Sequence, residues 1–406
     1  MITRALAASA LLASAAVSAQ QPQVGIAPVT LGSEPYVFDT AEQHKIKVSV
    51  LAKGLARPFA IEFLPGGDLL IVERGMGLRI LRQATGQAQL DPLPVEGMPR
   101  PAEAFFSVGV QDIALHPDFA SNHWIYFTYN DPTPRPEGTP PNQRPAHLKL
   151  MRGKLEDGRV SQVETLFQGG IAPALGSRVA FAPNGKLYMT AGGAFGEVAQ
   201  DLTDIYGKVL RLNDDGSIPA DNPFVGRDGA NPAIFSYGHR DHHGLMVHPE
   251  TGAVLNAEHG MNGGDEVNLI RPGVNYGWPT YTFSRQYDGA QGTVMPTAEG
   301  IDRPLILWSP SIAPSGLMVY RGDKFPAWKG NLFVGSARRG EIPFTGGLER
   351  VVLGADMGDV RRETLLTELH QRVRDFAEGP DGLIYVLTDG NENAVLRIEP
   401  VAEVAP

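Results

Sequence analysis

The chain has no cysteine in 406 residues, so no disulfide can brace it and its stability has to come from a packed core. It has no cluster of lysine and arginine and carries a formal charge of -10, which argues against nucleic acid or an anionic membrane surface as a partner. No apolar stretch reaches the roughly 20 residues that span a bilayer, so membrane insertion is not expected. The most apolar run, Ala5 to Val17, follows Arg4 and ends at the small residues Val17-Ser18-Ala19. That is the pattern of a secretory signal peptide over residues 1–19, and it implies an exported chain, periplasmic or secreted, that begins near Gln20. Helical periodicity is scarce as well: only Glu363 to Val373 could form a helical turn or two. What is abundant is punctuation, with 47 glycines and 33 prolines, which favours many short strands joined by turns.

One pattern recurs six times: a proline, a turn bearing Gly, Asn or Asp, and a short β-rich run. The copies are Phe63 to Val72, His116-Pro117 to Phe127, Ala182 to Tyr188, His248-Pro249 to Leu255, Phe325-Pro326 to Val334 and Gly379 to Val386. Units of this size bury their faces only against their neighbours, and the expected fold is all-β, a six-bladed β-propeller. Residues 46–400 are read as one propeller domain and residues 20–45, which lack periodicity, as an N-terminal arm. Two insertions should lie at the surface, the proline-rich Asp131 to Ala146 and the loop Asn275 to Asp302; loops this long are often functional.

Chemistry concentrates between Ser236 and Pro279, which holds His239, Arg240, His242, His243, Glu258, His259, Asp265, Glu266 and the pair Gly263-Gly264. Leu245 to Val247 and Ala253 to Leu255 read as strands, leaving the polar groups to strand ends and loops, where binding groups usually sit. A carboxylate pair beside glycines suits calcium, because glycine lets backbone carbonyls turn inward. An ordinary solvated turn has the same composition. The histidine spacing matches no standard zinc pattern.

The repeat, this stretch and the segment Arg372-Val373-Arg374-Asp375-Phe376-Ala377-Glu378-Gly379-Pro380-Asp381-Gly382 together resemble the glucose/sorbosone dehydrogenase family. The resemblance implies an exported six-bladed propeller that binds pyrroloquinoline quinone (PQQ) and calcium, oxidises a small sugar or alcohol and passes electrons to an external acceptor. It also implies cofactor-binding roles for Arg240, Asp241 (where the family has Asn), Arg338 (where it has Lys), Arg372, Arg374 and Tyr287. Alternating strand geometry would put Arg372 and Arg374 on one face. By the same resemblance, the backbone of Gly260 and Met261 would hold the calcium at the cofactor, and Glu266 with the backbone of Tyr276 a second calcium.

One position departs decisively. Family members carry a histidine general base before a Gly-Gly-Arg turn; here the segment is Pro173-Ala174-Leu175-Gly176-Ser177-Arg178, and Ala174 cannot accept a proton. His242 and His243 are the candidate substitutes, with Asp241 a third. Two other readings stay open at this point: a calcium-stabilised propeller that binds without redox chemistry, and a calcium-dependent hydrolase or lactonase.

Overall fold

The computed structural model describes residues 26–42, 44–101, 107–140, 143–192, 196–290, 296–355, 357–390 and 392–401; the expected signal peptide lies outside the described residues. Six antiparallel sheets form a six-bladed β-propeller. Strand residues come in stretches of two to fifteen between turns, and the described helix amounts to one short α-helix, Phe119–Asn122, and three 3-10 turns. Glycine and proline spacing therefore points to the class of fold for a physical reason: breakers recur between most of the short apolar runs and favour strands joined by turns.

Blade one is Pro58–Phe63, Leu69–Glu73, Gly77–Arg82 and Gln89–Leu90; blade two is Gly109–Leu115, Trp124–Pro132, Pro145–Glu156 and Arg159–Pro173. Blade three is Val179–Phe181, Leu187–Ala191, Lys208–Leu212 and Ile234–Tyr237; blade four is Asp241–Val247, Val254–His259, Asp265–Ile270 and Ile306–Trp308. Blade five is Pro314–Val319, Leu332–Ser336, Gly347–Leu353 and Asp359–Leu365. In blade six, Arg372–Glu378, Ile384–Asp389 and Ala394–Pro400 are completed by the N-terminal strands Lys45–Lys53 and Tyr36–Asp39. Each of the six sequence repeats is the turn between the first and second strands of a blade. The first strand of every blade lines a central channel, each beside the next and the last beside the first.

Three local readings differ from the structure. Tyr36–Asp39, inside the stretch without periodicity, is a strand whose burial alternates, pairing with Lys45–Lys53. Four residues are too few to show a period in sequence. The Glu363–Val373 stretch is not helical: it ends one strand at Leu365, makes a 3-10 turn at Thr367–Leu369 and begins another strand at Arg372. His242, His243 and His259 stand within strands rather than beside them, because Asp241–Val247 and Val254–His259 extend beyond their apolar centres.

Closure of the ring rests on pairing the chain's two ends, with Ile46 opposite Pro400 and Val48 opposite Ile398. Ile46 and Val48 are buried in a cluster with Trp328, Phe333, Phe376 and Val386, so the closing strand is held by apolar packing between blades five and six. Ile46→Ala should therefore destabilise the protein by about 2–5 kcal/mol in urea unfolding. Val37→Ala, at a position 51% exposed, should change stability by less than about 0.5 kcal/mol.

Candidate active site in the central channel

Five of the six inner strands carry a register shift against their second strand, between Pro58 and Ala60, Val110 and Asp112, His242 and Gly244, Pro314 and Leu317, and Val373 and Asp375. A bulge adds a residue and re-aims its side chain. Three of the displaced residues, Phe59, His243 and Arg374, meet at the axis. The Phe59 ring has the guanidinium carbons of Arg178, Arg74 and Arg374 at 4.8, 5.0 and 5.4 Å from its centroid and the His243 ring at 6.1 Å.

Below Phe59 lies a buried charge knot. Arg178 Nε donates to the His243 carbonyl at 2.7 Å, and Arg178 Nη1 donates to Asp112 Oδ1 at 3.1 Å and Asp375 Oδ2 at 3.3 Å. The backbone N–H of Val179 donates to Asp112 and that of Ile61 to Asp375. The knot joins blades one, two, four and six through a residue that leads into blade three.

Above it opens a cavity of about 570 Å³ lined by Arg57, Arg74, His259, Ala313, Arg338, Arg372, Asp389, Gly390 and Asn393. One carboxylate, Asp389, serves three guanidiniums here: Arg372 Nε and Arg374 Nε at 2.9 Å each, and Arg74 Nη2 at 3.8 Å. Burial first and the neighbouring Arg374 second lower the Arg74 pKa to about 9. Arg372 and Arg374 thus do converge, but on opposite oxygens of Asp389 and across a bulge, not by simple alternation. Arg338 lines the same cavity and pairs with Glu341 at 2.8 Å.

His242 and His243 point to different places. His243 Nε2 faces Asp241 Oδ2 at 3.2 Å, its ring stacks on His259 at 3.9 Å, and its Nδ1 has no partner. Burial holds His243 below its ordinary pKa against the opposing pull of Asp241. Burial also opposes ionisation of Asp241, yet His243, His259 and Arg240 keep that carboxyl far below the usual range. The Ala174 segment passes alongside: Gly176 N–H donates to Asp241 Oδ1 at 3.2 Å, and a Cβ on Gly176 would come within 3.2 Å of His243 Cε1. His242, fully buried, turns away from the channel toward Asn256, His239 and Glu258.

The loop after His259 is built for close approach. A Cβ on Gly260 would strike the carbonyl oxygens of Gly263 and Gly264 at 2.3 and 2.5 Å. Arg240 Nη1 donates to the Gly260 carbonyl at 2.6 Å and to that of His259 at 3.0 Å, and Arg240 Nη2 reaches the Tyr287 hydroxyl at 3.4 Å. Tyr287 itself is 63% exposed. Met261 N–H donates to Ser284 Oγ.

Asp265, half of the acidic pair, is saturated by Gly260 N, Ile312 N, Ala313 N and Ser311 Oγ, and so fastens the loop. Glu266 is different. Burial first, then the charge of Glu258, raise its pKa well above the carboxylate range. It lines a cavity of about 10 Å³ with Glu258, Gly260, Tyr276 and Trp278, roughly one water or ion in size.

Arg57, Arg74, Arg178, Asp112, Asp375, Asp389 and Phe59 were not singled out by sequence reasoning. A signal existed for some: Arg57, Arg178 and Arg240 each stand immediately before an inner strand, and Arg372 opens one. Aligning the repeats on their strands rather than on their turns brings these arginines within one residue of a common position.

The fold and channel define a class: six-bladed propellers with a strongly cationic pocket at one mouth. A family model described as Glucose / Sorbosone dehydrogenase matches residues 55–397. Aldose sugar dehydrogenase YliI of Escherichia coli is 33% identical over 373 residues, 87% of this chain and 93% of that one. Quinoprotein glucose dehydrogenase B of Acinetobacter calcoaceticus is 26% identical over 434 residues, 87% of this chain and 88% of that one. The crystal structure of the soluble aldose sugar dehydrogenase from Escherichia coli in the apo-form has a TM-score of 0.77 at 32% identity, covering 88% of this chain and 100% of that one. The chain belongs to the glucose/sorbosone dehydrogenase family.

The far mouth of the channel generates a pH dependence. Glu62 lines a cavity of about 400 Å³ there with Asp112, Asp375 and Glu378. Burial, then the charges of Asp112 and Asp375, raise its pKa from 4.5 to about 8. A raised carboxyl means the folded state keeps a proton that the unfolded state releases, so this stability is present below about pH 4.5 and lost as pH rises toward 8. Because Glu62 is only partly buried, solvent reduces the effect to about 1 kcal/mol, roughly 2 °C in the melting midpoint. Glu62→Gln should flatten that part of the decline when midpoints are measured across the window.

Proposed function

We propose that the protein is a PQQ- and calcium-dependent quinoprotein dehydrogenase that oxidises an aldose sugar or a related alcohol, working with a non-standard general base. The observation that carries this reading is the charge imbalance at the 570 Å³ cavity, where Arg74, Arg372 and Arg374 share Asp389 beside Arg57 and Arg338. A cofactor bearing three carboxylates would meet that surplus with charge-assisted hydrogen bonds. The two relatives, an aldose sugar dehydrogenase and a quinoprotein glucose dehydrogenase, support the same assignment.

Bound PQQ would supply a two-electron acceptor for hydride from the sugar's hydroxyl-bearing carbon. The protein's own part is to orient and deprotonate. Asp241 accepts from His243 Nε2–H, which leaves the lone pair on Nδ1, the nitrogen without a partner. His243 lies behind the cavity-lining His259, on which it stacks, and its Nδ1 is enclosed; uncovered as cofactor and substrate bind, that nitrogen would take the hydroxyl proton in place of the family histidine whose position holds Ala174. His242, enclosed between strands, does not share this placement. Arg57, Arg74, Arg338 and Arg372 would hold the cofactor's carboxylates.

The carbonyls of Gly260 and Met261 would hold the calcium beside the cofactor, and Arg240, which now donates to the Gly260 oxygen, would have to turn aside and become a cofactor ligand. Glu266, whose ionisation burial and the neighbouring Glu258 oppose, and the backbone of Tyr276 suit a second calcium, whose charge would favour the ionised carboxylate. Export, by residues 1–19, and electron transfer to an external acceptor complete the proposal.

Titration of the calcium-loaded protein with PQQ, followed by addition of aldoses and alcohols, tests it. The cofactor should bind one to one and bleach on addition of substrate. Arg372→Ala should weaken PQQ binding about 10- to 100-fold, the loss of one charge-assisted pair. His243→Gln should leave binding within a few fold and lower turnover by about 10² to 10⁴. A folded, calcium-stabilised protein with no affinity for PQQ would contradict the proposal and favour a non-redox propeller, with lactone and ester hydrolysis the activities to assay next.

A further inference from the structure

His242 and His239 belong to the histidine stretch but take no part in the channel chemistry. His242 is fully buried on the inner strand of blade four, directly opposite Glu258 on the second strand. Its Nδ1 faces Asn256 Oδ1 at 2.9 Å, which places the ring proton there, and its Nε2 has no partner. An imidazole lone pair buried without a donor is a cost that a packed sheet would normally avoid.

Two neighbours converge with it. His239, also fully buried and just before the strand, has Nε2 at 2.9 Å from Ser236 Oγ and Nδ1 at 3.3 Å from Glu258 Oε1. One ligand atom from each of His239, His242 and Glu258 lies within 4.8 Å of the others. Glu258 is itself anchored, accepting from Arg240 N–H at 2.9 Å and Asn268 Nδ2 at 2.8 Å.

We infer that His239, His242 and Glu258 form a buried binding site for one divalent transition metal of the zinc class, distinct from the calcium positions and independent of whether a quinone binds. Two imidazole nitrogens and one carboxylate suit zinc, cobalt or copper and not calcium, which takes oxygen donors. The outer partners match such a site, since a metal-bound histidine hands its other ring N–H to an acceptor: Ser236 Oγ for His239 and Asn256 Oδ1 for His242. The 3.3 Å between His239 Nδ1 and Glu258 Oε1 is about the edge of a tetrahedron around an ion roughly 2.1 Å from each ligand. The second histidine-carboxylate group, Asp241, His243 and His259, does not share this geometry. Its two rings stack at 3.9 Å with planes 22° apart, so their lone pairs run nearly parallel.

Because the site is enclosed, the metal should enter as the chain folds. The experiment is to express the full chain with cobalt replacing zinc in the medium, purify it in calcium buffer, and read metal stoichiometry with visible absorption. The expected result is about one cobalt per chain with the intense bands of low-coordinate Co²⁺. Occupancy should fall below about a tenth in His242→Gln, and Ser236→Ala should weaken retention about 10- to 100-fold against a chelator. Folded wild-type protein without stoichiometric transition metal would overturn the inference and mean that the Asn256 amide is turned to donate to His242. Equal retention by His242→Gln would overturn it too, as would one-for-one displacement of cobalt by calcium.

Discussion

The channel depends on one buried guanidinium. Arg178 enters from the start of blade three and is gripped by Asp112 of blade two, Asp375 of blade six and the carbonyl of His243 in blade four, while its π-face contact is Phe59 of blade one. Two acids and one guanidinium leave one negative charge unmatched, and the Asp112 pKa rises to about 6: burial raises it most, Arg178 pulls it back, and the neighbouring Asp375 adds to the rise. Such a knot is poor evidence for net stability, since buried ion pairs recover little beyond their desolvation cost. Its consequence is positional: with four blades tied to one side chain, the inner strands hold Phe59, His243 and Arg374 in fixed relation around the axis.

That rigidity explains how an unbalanced cluster of arginines can exist at the mouth above. Arg74, Arg372 and Arg374 would repel one another apart on a mobile scaffold; here each is set by a strand end, and Asp389 at the end of a second strand moderates the repulsion. A site preorganised with surplus charge is costly without a ligand and selective for a polyanion with one. The histidine stretch divides at this boundary. The bulge between His242 and Gly244 sends His243 to the axis and leaves His242 inside the blade, so adjacent residues of one sequence motif serve unrelated surroundings.

Much of the fold was legible because repetition amplifies a weak signal. One Gly-Asp or Pro-Asn turn means little, but six at blade-like spacing leave few alternatives. Tyr36–Asp39 was hidden because its partner lies in its own hairpin and its sheet is completed by the far end of the chain. In the site, Arg240, Arg338, Arg372 and Arg374 could be named from local motifs. Arg57, Arg74 and Asp389 could not, since they gather from the ends of three strands that are distant in sequence or separated by turns. Alternation also misleads at a bulge: two-residue periodicity cannot foresee that Phe59, His243 and Arg374 leave the expected face. The Asp265-Glu266 pair read as two equivalent acids, whereas four donors saturate the first and almost none reach the second.

The most direct measurement is a crystal structure of the calcium-loaded protein soaked with PQQ. The account predicts the quinone in the cavity between Arg57, Arg74 and Arg372, with Arg240 turned off the Gly260 carbonyl, an ion in its place, and His243 Nδ1 facing the cofactor. Arg240 still seated on that carbonyl, with the arginine cavity free of quinone at saturating PQQ, would contradict it.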